Sequence, residues 1–157
     1  MRRTIKEDES WKRRNRALVD FIMPGRSKPG MGGIGLIGDT SASMKPYRIW
    51  PQVSEEMRFM LEEARPEFIQ VIWADYADFS HEQRFEPGDW IDLEPYGGGG
   101  TDMRLPLKRM EDYEVDVCVL VTDAETPWPA QPTPFPLIVL TTTDQAVPAW
   151  ATKIRIR

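Results

Sequence analysis

The strongly apolar positions of this chain fall into short runs. IGLIG (34–38), FIQVIWA (68–74), VDVCVLV (115–121) and LIVLT (137–141) are each five to seven residues of nearly continuous hydrophobicity. Runs of that length, apolar on both faces, fit central strands covered by helices on each side. Between the first two, Val53, Met57, Met60, Leu61 and Ala64 recur at steps of three and four while Glu55, Glu56, Glu62 and Glu63 point elsewhere. That period predicts a helix from Gln52 to Arg65, with Pro51 in its first turn and Pro66 closing it. WIDLEPY (90–96) reads as a strand or edge segment. A shorter helix is expected from Asp102 to about Asp112, with Leu105, Leu107 and Met110 for burial and Pro106 tolerated near its start. The alternating tail KIRIR (153–157) reads as an edge strand, which could pair with a second copy.

Turn residues separate these elements: PGRSKPGMGG (24–33), GGGGTD (97–102) and ETPWPAQPTPFP (125–136) are loops, and the four consecutive glycines give the second unusual backbone freedom. The order of strand, helix, strand, polar hairpin-like region, helix, strand, loop and strand implies an α/β fold. Its core is a doubly wound, mainly parallel sheet flanked by helices. A length of 157 residues suits one domain. We divide the chain into a basic arm at 1–30, whose WKRRNRALVDFIM stretch is a short helix or ordered lead-in, and a domain at 31–157.

Charge refines this division. Residues 1–28 carry nine Lys/Arg against four acids, leaving eleven against twenty-one for the rest, so a basic leader precedes an acidic body. An acidic body lacks the clustered Lys/Arg of a phosphate-tracking surface, so no nucleic-acid partner is expected. The leader is expected to be solvated, to fold back on the body or to touch an acidic partner. No apolar run is long enough to span a membrane, and the N-terminus lacks the apolar stretch of a secretory signal. The single cysteine, Cys118, lies in an apolar run and is expected to be a buried structural thiol; a cytoplasmic location follows as the default.

In a sheet of this kind, loops at the carboxyl ends of the strands share one edge, where ligands bind. That edge collects Asp39, Ser41 and Ser43 after the first strand, Asp75 after the second, Thr101 and Asp102 in the glycine loop, and Asp123 after the strand containing Cys118. Taken singly, each piece fits a helix cap or a turn. Taken together, three strand ends bring oxygen donors to one rim. Carboxylates and hydroxyls without thiol or imidazole suit Mg²⁺, with Mn²⁺ or Ca²⁺ as alternatives, rather than Zn²⁺. An extended backbone through DTSAS would point Asp39, Ser41 and Ser43 to one side. With few carboxylates, the cation would keep water or accept a carboxylate from a partner.

These residues resemble a von Willebrand factor type A (VWA) domain and its metal-ion-dependent adhesion site (MIDAS): Asp-x-Ser-x-Ser in DTSAS (39–43), the Thr of GGGGTD and the Asp of VLVTDAE. The resemblance is closest to the C-terminal VWA-like domain of bacterial metallopeptidase-family proteins, with WKRRNR as lead-in and ETPWPAQPTPFP as the Pro-rich turn. It implies a VWA/Rossmann-like sandwich, with Asp39, Ser41, Ser43, Thr101 and Asp123 as metal ligands and Asp102 and Asp75 orienting them. It also implies a protein partner that donates a carboxylate, with a MoxR-type AAA+ ATPase or its client as the expected class. Ala42 stands where the family usually has Gly. The lone histidine, His81 in HEQRF, lacks the second histidine of a His-Glu-x-x-His helix, so it is expected at the solvated surface and no peptidase activity is expected. Two other functions use the same rim: a Mg²⁺-dependent hydrolase, which would lack a Lys or His in the site loops, and a structural module with a vestigial metal site.

Overall fold

The computed structural model describes residues 31–74, 81–97 and 102–156. Six strands form one sheet: β1 (Gly33–Asp39), β2 (Phe68–Ala74), β3 (Gln83–Phe85), β4 (Val117–Thr122), β5 (Leu137–Thr141) and β6 (Thr152–Arg155). Their spatial order is β3-β2-β1-β4-β5-β6, and only β3 runs antiparallel to its neighbour. This is the α/β, mainly parallel sandwich that the element order predicts, and it is the architecture that the resemblance implies.

Every residue of β1, β2, β4 and β5 is buried, because each face of the sheet is covered. On one face, Ile34, Leu36, Val71, Trp73, Val119 and Leu140 pack with Val53, Met57 and Met60 of helix α1 (Trp50–Glu63). On the other, Ile37, Ile72, Cys118, Leu120 and Val139 pack with Leu107 and Met110 of helix α2 (Arg104–Met110). Each aliphatic side chain so buried contributes about 1.5–3 kcal/mol relative to exposure. Gly38 is dictated by packing: a Cβ there would lie 2.4 Å from the Trp73 ring and 2.7 Å from that of Trp50, which meet edge to face.

Several expectations change in detail. The first helix begins at Trp50 rather than Gln52 and ends at Glu63, and it buries Glu56, which the helical period sets off the apolar face. WIDLEPY forms no strand. Its alternation is real, since Ile91 and Leu93 are buried, but its backbone bonds to α1 instead of a ladder: Leu93 N–H donates to Ser54 Oγ at 2.8 Å, and the Ile91 carbonyl accepts from Arg58. The short polar Gln83–Phe85 takes the open edge of β2 instead, with Trp73 Nε1 donating to Gln83 Oε1 at 3.1 Å. In α2, Leu105 is exposed and Pro106 is buried in its place, and a 3-10 turn continues over Glu111–Tyr113. KIRIR contributes to edge strand β6, beside β5. Cys118 is fully buried, which pushes its thiol well above the ordinary range, and His81 is exposed and stacks on Tyr96. The basic arm at 1–30 lies outside the described residues.

Candidate metal centre

The sheet order reverses direction between β1 and β4, because β1 connects outward to β2 while β4 connects outward to β5. Such a switch point opens a crevice at the carboxyl ends of the strands. Asp39 is the last residue of β1, and Asp123 follows the last residue of β4. The β1–β4 register pairs Gly38 with Val121, so Asp39 and Thr122 stand at the same level. The Thr122 hydroxyl accordingly donates to Asp39 Oδ2 at 2.6 Å.

Local geometry builds the rest. Asp39 Oδ1 accepts the Ser41 amide at 2.9 Å, a side-chain turn that bends the chain off the strand. Thr40 is drawn the other way, its hydroxyl donating to the Ala74 carbonyl at the end of β2 at 2.5 Å. Ser41 retains an extended backbone, but a 3-10 helix covers Ala42–Tyr47, so extension through all of DTSAS is not what aligns the serines. The 3-10 turn brings them together instead, with the two Oγ atoms 3.0 Å apart. Ser43 then donates to Asp123 Oδ2. Ala42 has no left-handed backbone, so a side chain there is unstrained.

The outcome is a continuous oxygen network: Thr122, Asp39, Ser41, Ser43, Asp123. Asp39 and Asp123 are each 2 % exposed and Ser41 is 5 % exposed, whereas Ser43 faces solvent. Among the described residues, no Lys, Arg or His bonds to either carboxylate. Burial raises the Asp39 carboxyl above its ordinary value, the charge of Asp123 adds to this, and the bonds from Thr122 and Ser41 oppose it. Two buried carboxylates with no cationic partner are costly unless a cation joins them. The donor set is all oxygen and partly preformed, which fits a hard divalent ion. Among the described residues no group of three or more acids, histidines or cysteines converges, so hydroxyls would have to complete the coordination.

Of the other site residues expected from the sequence, Thr101 and Asp75 lie outside the described residues. Asp102 is described, and it points to Arg104, with side-chain contacts of 3.0 and 2.9 Å that hold its carboxyl below the usual range. Among the described residues it makes no bond to Asp39, Ser41, Ser43 or Asp123. Thr122 was not anticipated, although a polar residue closing an apolar strand beside an aspartate was a visible signal. Nor was Thr143, whose hydroxyl holds the Asp123 carbonyl at 2.5 Å and ties the loops after β4 and β5 together. Met103 N–H donates to Thr126 Oγ1 at 2.9 Å, docking the start of α2 on the Pro-rich loop.

A family model described as VWA-like domain (DUF2201) matches residues 34–157. The chain belongs to that family. The VWA-like domain therefore spans β1 to the end of the chain and includes both Asp39 and Asp123. No curated protein and no solved structure matches the chain. Among the described residues of this VWA-like domain, no helix is long and apolar enough to cross a membrane.

Proposed function

We propose that this VWA-like domain is a divalent-cation-dependent protein-binding module. Asp39, Ser41 and Ser43 would hold Mg²⁺ directly or through water, with Asp123 direct or through the Ser43 hydroxyl. Thr101 would join them, as in the MIDAS pattern that the sequence resembles. The bound ion would supply Lewis acidity and positive charge, which would attract a carboxylate from a partner protein. The observation that carries this reading is the pair of buried carboxylates, linked through Ser41 and Ser43 and without a cationic partner among the described residues, at the switch point of the sheet. The resemblance suggests a MoxR-type AAA+ ATPase or its client as the partner class.

Calorimetry with Mg²⁺, Mn²⁺ and Ca²⁺ tests the site, and capture of partner by the immobilised protein with and without EDTA tests the function. The Asp39→Ala/Ser41→Ala double variant is expected to lose the Mg²⁺ heat and the Mg²⁺-dependent capture while remaining folded. Capture undiminished by EDTA would refute the proposal.

A further inference from the structure

The crevice beside Asp39 contains more than cation ligands. A cavity of ≈ 210 Å³ opens there, lined by the polar Asp39, Thr40 and Ser41 and by the apolar Met44, Trp50 and Pro95. Arg48 also lines it. At about 30 Å³ per water it holds roughly seven waters, and it is smaller than the ~300–1,000 Å³ of cofactor or drug-sized sites. It suits one inserted side chain.

Arg48 follows the 3-10 helix with a left-handed backbone at φ 48°, and it is exposed. Arg84, Arg104, Arg109 and Arg155 each pair with an acid of this chain. Among the described residues, no acid pairs with Arg48. The cavity lining thus combines a guanidinium without an acidic partner among the described residues, a carboxylate and apolar side chains. An anion entering it is repelled by Asp39 until a cation is held there, and is attracted by Arg48 throughout. Met44 and Trp50 are 3 % and 8 % exposed, so their accessible edge suits methylene groups rather than a second charge.

We propose that this cavity selects a glutamate side chain of the partner protein, and that Arg48 is the residue that selects it. One carboxylate oxygen would meet the cation, the other would accept from the Arg48 guanidinium, and the two methylenes would lie against Met44 and Trp50. The inference rests on the cation-dependent reading above and adds a second, protein-borne anchor to it. Arg48 acts as a charge-assisted donor to the ligand and takes no part in holding the ion.

The probes are the peptides acetyl-Gly-Glu-Gly-amide and its Gln and Asp counterparts, titrated by NMR into the full chain in Mg²⁺, with the Trp50 indole N–H as local reporter. The Glu peptide is expected to shift that resonance and to bind more tightly than the Asp peptide, with no saturable shift from the Gln peptide. Arg48→Ala should weaken the Glu peptide about tenfold or more, as loss of one charge-assisted hydrogen bond requires, and Arg48→Lys should recover part of it. Mg²⁺ calorimetry on Arg48→Ala should match the wild type, showing an intact fold and ion site. If Mg²⁺ binds but the Glu peptide fails to bind, or its affinity is unchanged in Arg48→Ala, the inference is overturned and the cation reading stands. If the wild type gives no Mg²⁺ heat, the cation reading fails and this inference falls with it.

Discussion

Asp39→Asn separates the charge of the site from its shape. The amide has the size of the carboxylate, and its oxygen can still accept the Ser41 N–H. Its NH₂ group can face the Thr122 hydroxyl, which turns to accept while continuing to hold the Ala124 N–H at 3.1 Å. What disappears is one of two buried negative charges that lack a cationic partner among the described residues. Relieving such a functional strain typically adds about 0.5–2 kcal/mol of stability. At about 3 °C per kcal/mol for a chain of this size, the variant should melt about 2–6 °C above wild type in EDTA. Mg²⁺ reverses the order. At a hundred times its Kd, a ligand specific to the folded state adds about 2.7 kcal/mol, which is about 8 °C for the wild type. The variant, lacking the ligand charge, should gain little. Scanning calorimetry of both proteins in EDTA and across a Mg²⁺ series measures both effects. The reasoning is refuted if Asp39→Asn melts below wild type in EDTA, or if the two proteins rise in parallel with Mg²⁺.

Glu56 gives a second, independent dependence on pH. Its side chain is buried in α1, one oxygen has no hydrogen-bond partner among the described residues, and burial pushes its carboxyl up to about 8 from 4.5. The folded state then keeps a proton that the unfolded chain has released, so stability falls as pH rises from about 4.5 and levels off above about 8. This group alone costs about 1.4 kcal/mol per pH unit within that window. Glu56→Met should flatten the urea-unfolding profile and stabilise more at pH 8 than at pH 5; parallel profiles would contradict the assignment. Gly38→Ala should destabilise by about 1–3 kcal/mol because its Cβ meets two tryptophan rings. Gly35→Ala should cost less, since its Cβ meets the flexible Met110 side chain, and denaturant midpoints of the two variants test the ranking. Thr122→Val removes the hydroxyl bonded to Asp39 and to the Ala124 amide. It should cost about 2–4 kcal/mol in unfolding free energy, and a loss below about 0.5 kcal/mol would count against a bond of consequence. Cys118 should react with a thiol reagent only at the rate at which the domain opens, so rapid labelling under native conditions would contradict its burial.

The central strands were legible because their burial on both faces leaves a plain signature. LIVLT and FIQVIWA are strands end to end, and the helical period of Val53, Met57 and Met60 marks the face of α1 that meets the sheet. Asp39, Ser41, Ser43 and Asp123 could be grouped from their positions after strands, and they do share one hydrogen-bonded network. The sequence did not disclose how they meet. Extension and a 3-10 turn satisfy the same spacing in DTSAS, and it is the turn that forms, closed by the Met44 N–H donating to the Ser41 carbonyl at 2.9 Å. Nor could the periodicity of WIDLEPY reveal its bonding, since Ile91 and Leu93 alternate identically on a ladder or against a helix. What decides is Ser54, which offers the backbone an acceptor from another element. Arg48 carried no signal at all: nothing local to it indicates that the Asp39 cavity lies alongside.

The hydrogen bond between Thr122 and Asp39 spans 83 positions of sequence. During synthesis at about 5–20 residues per second, the first acid of the centre would wait roughly 4–17 seconds for the strand that completes it. Until then Asp39 ends a strand with neither its partner acid nor the hydroxyl that orients it. A chain that stops before β4 therefore offers a partner no assembled centre, and recruitment through that centre would report that β4 has been made and paired with β1.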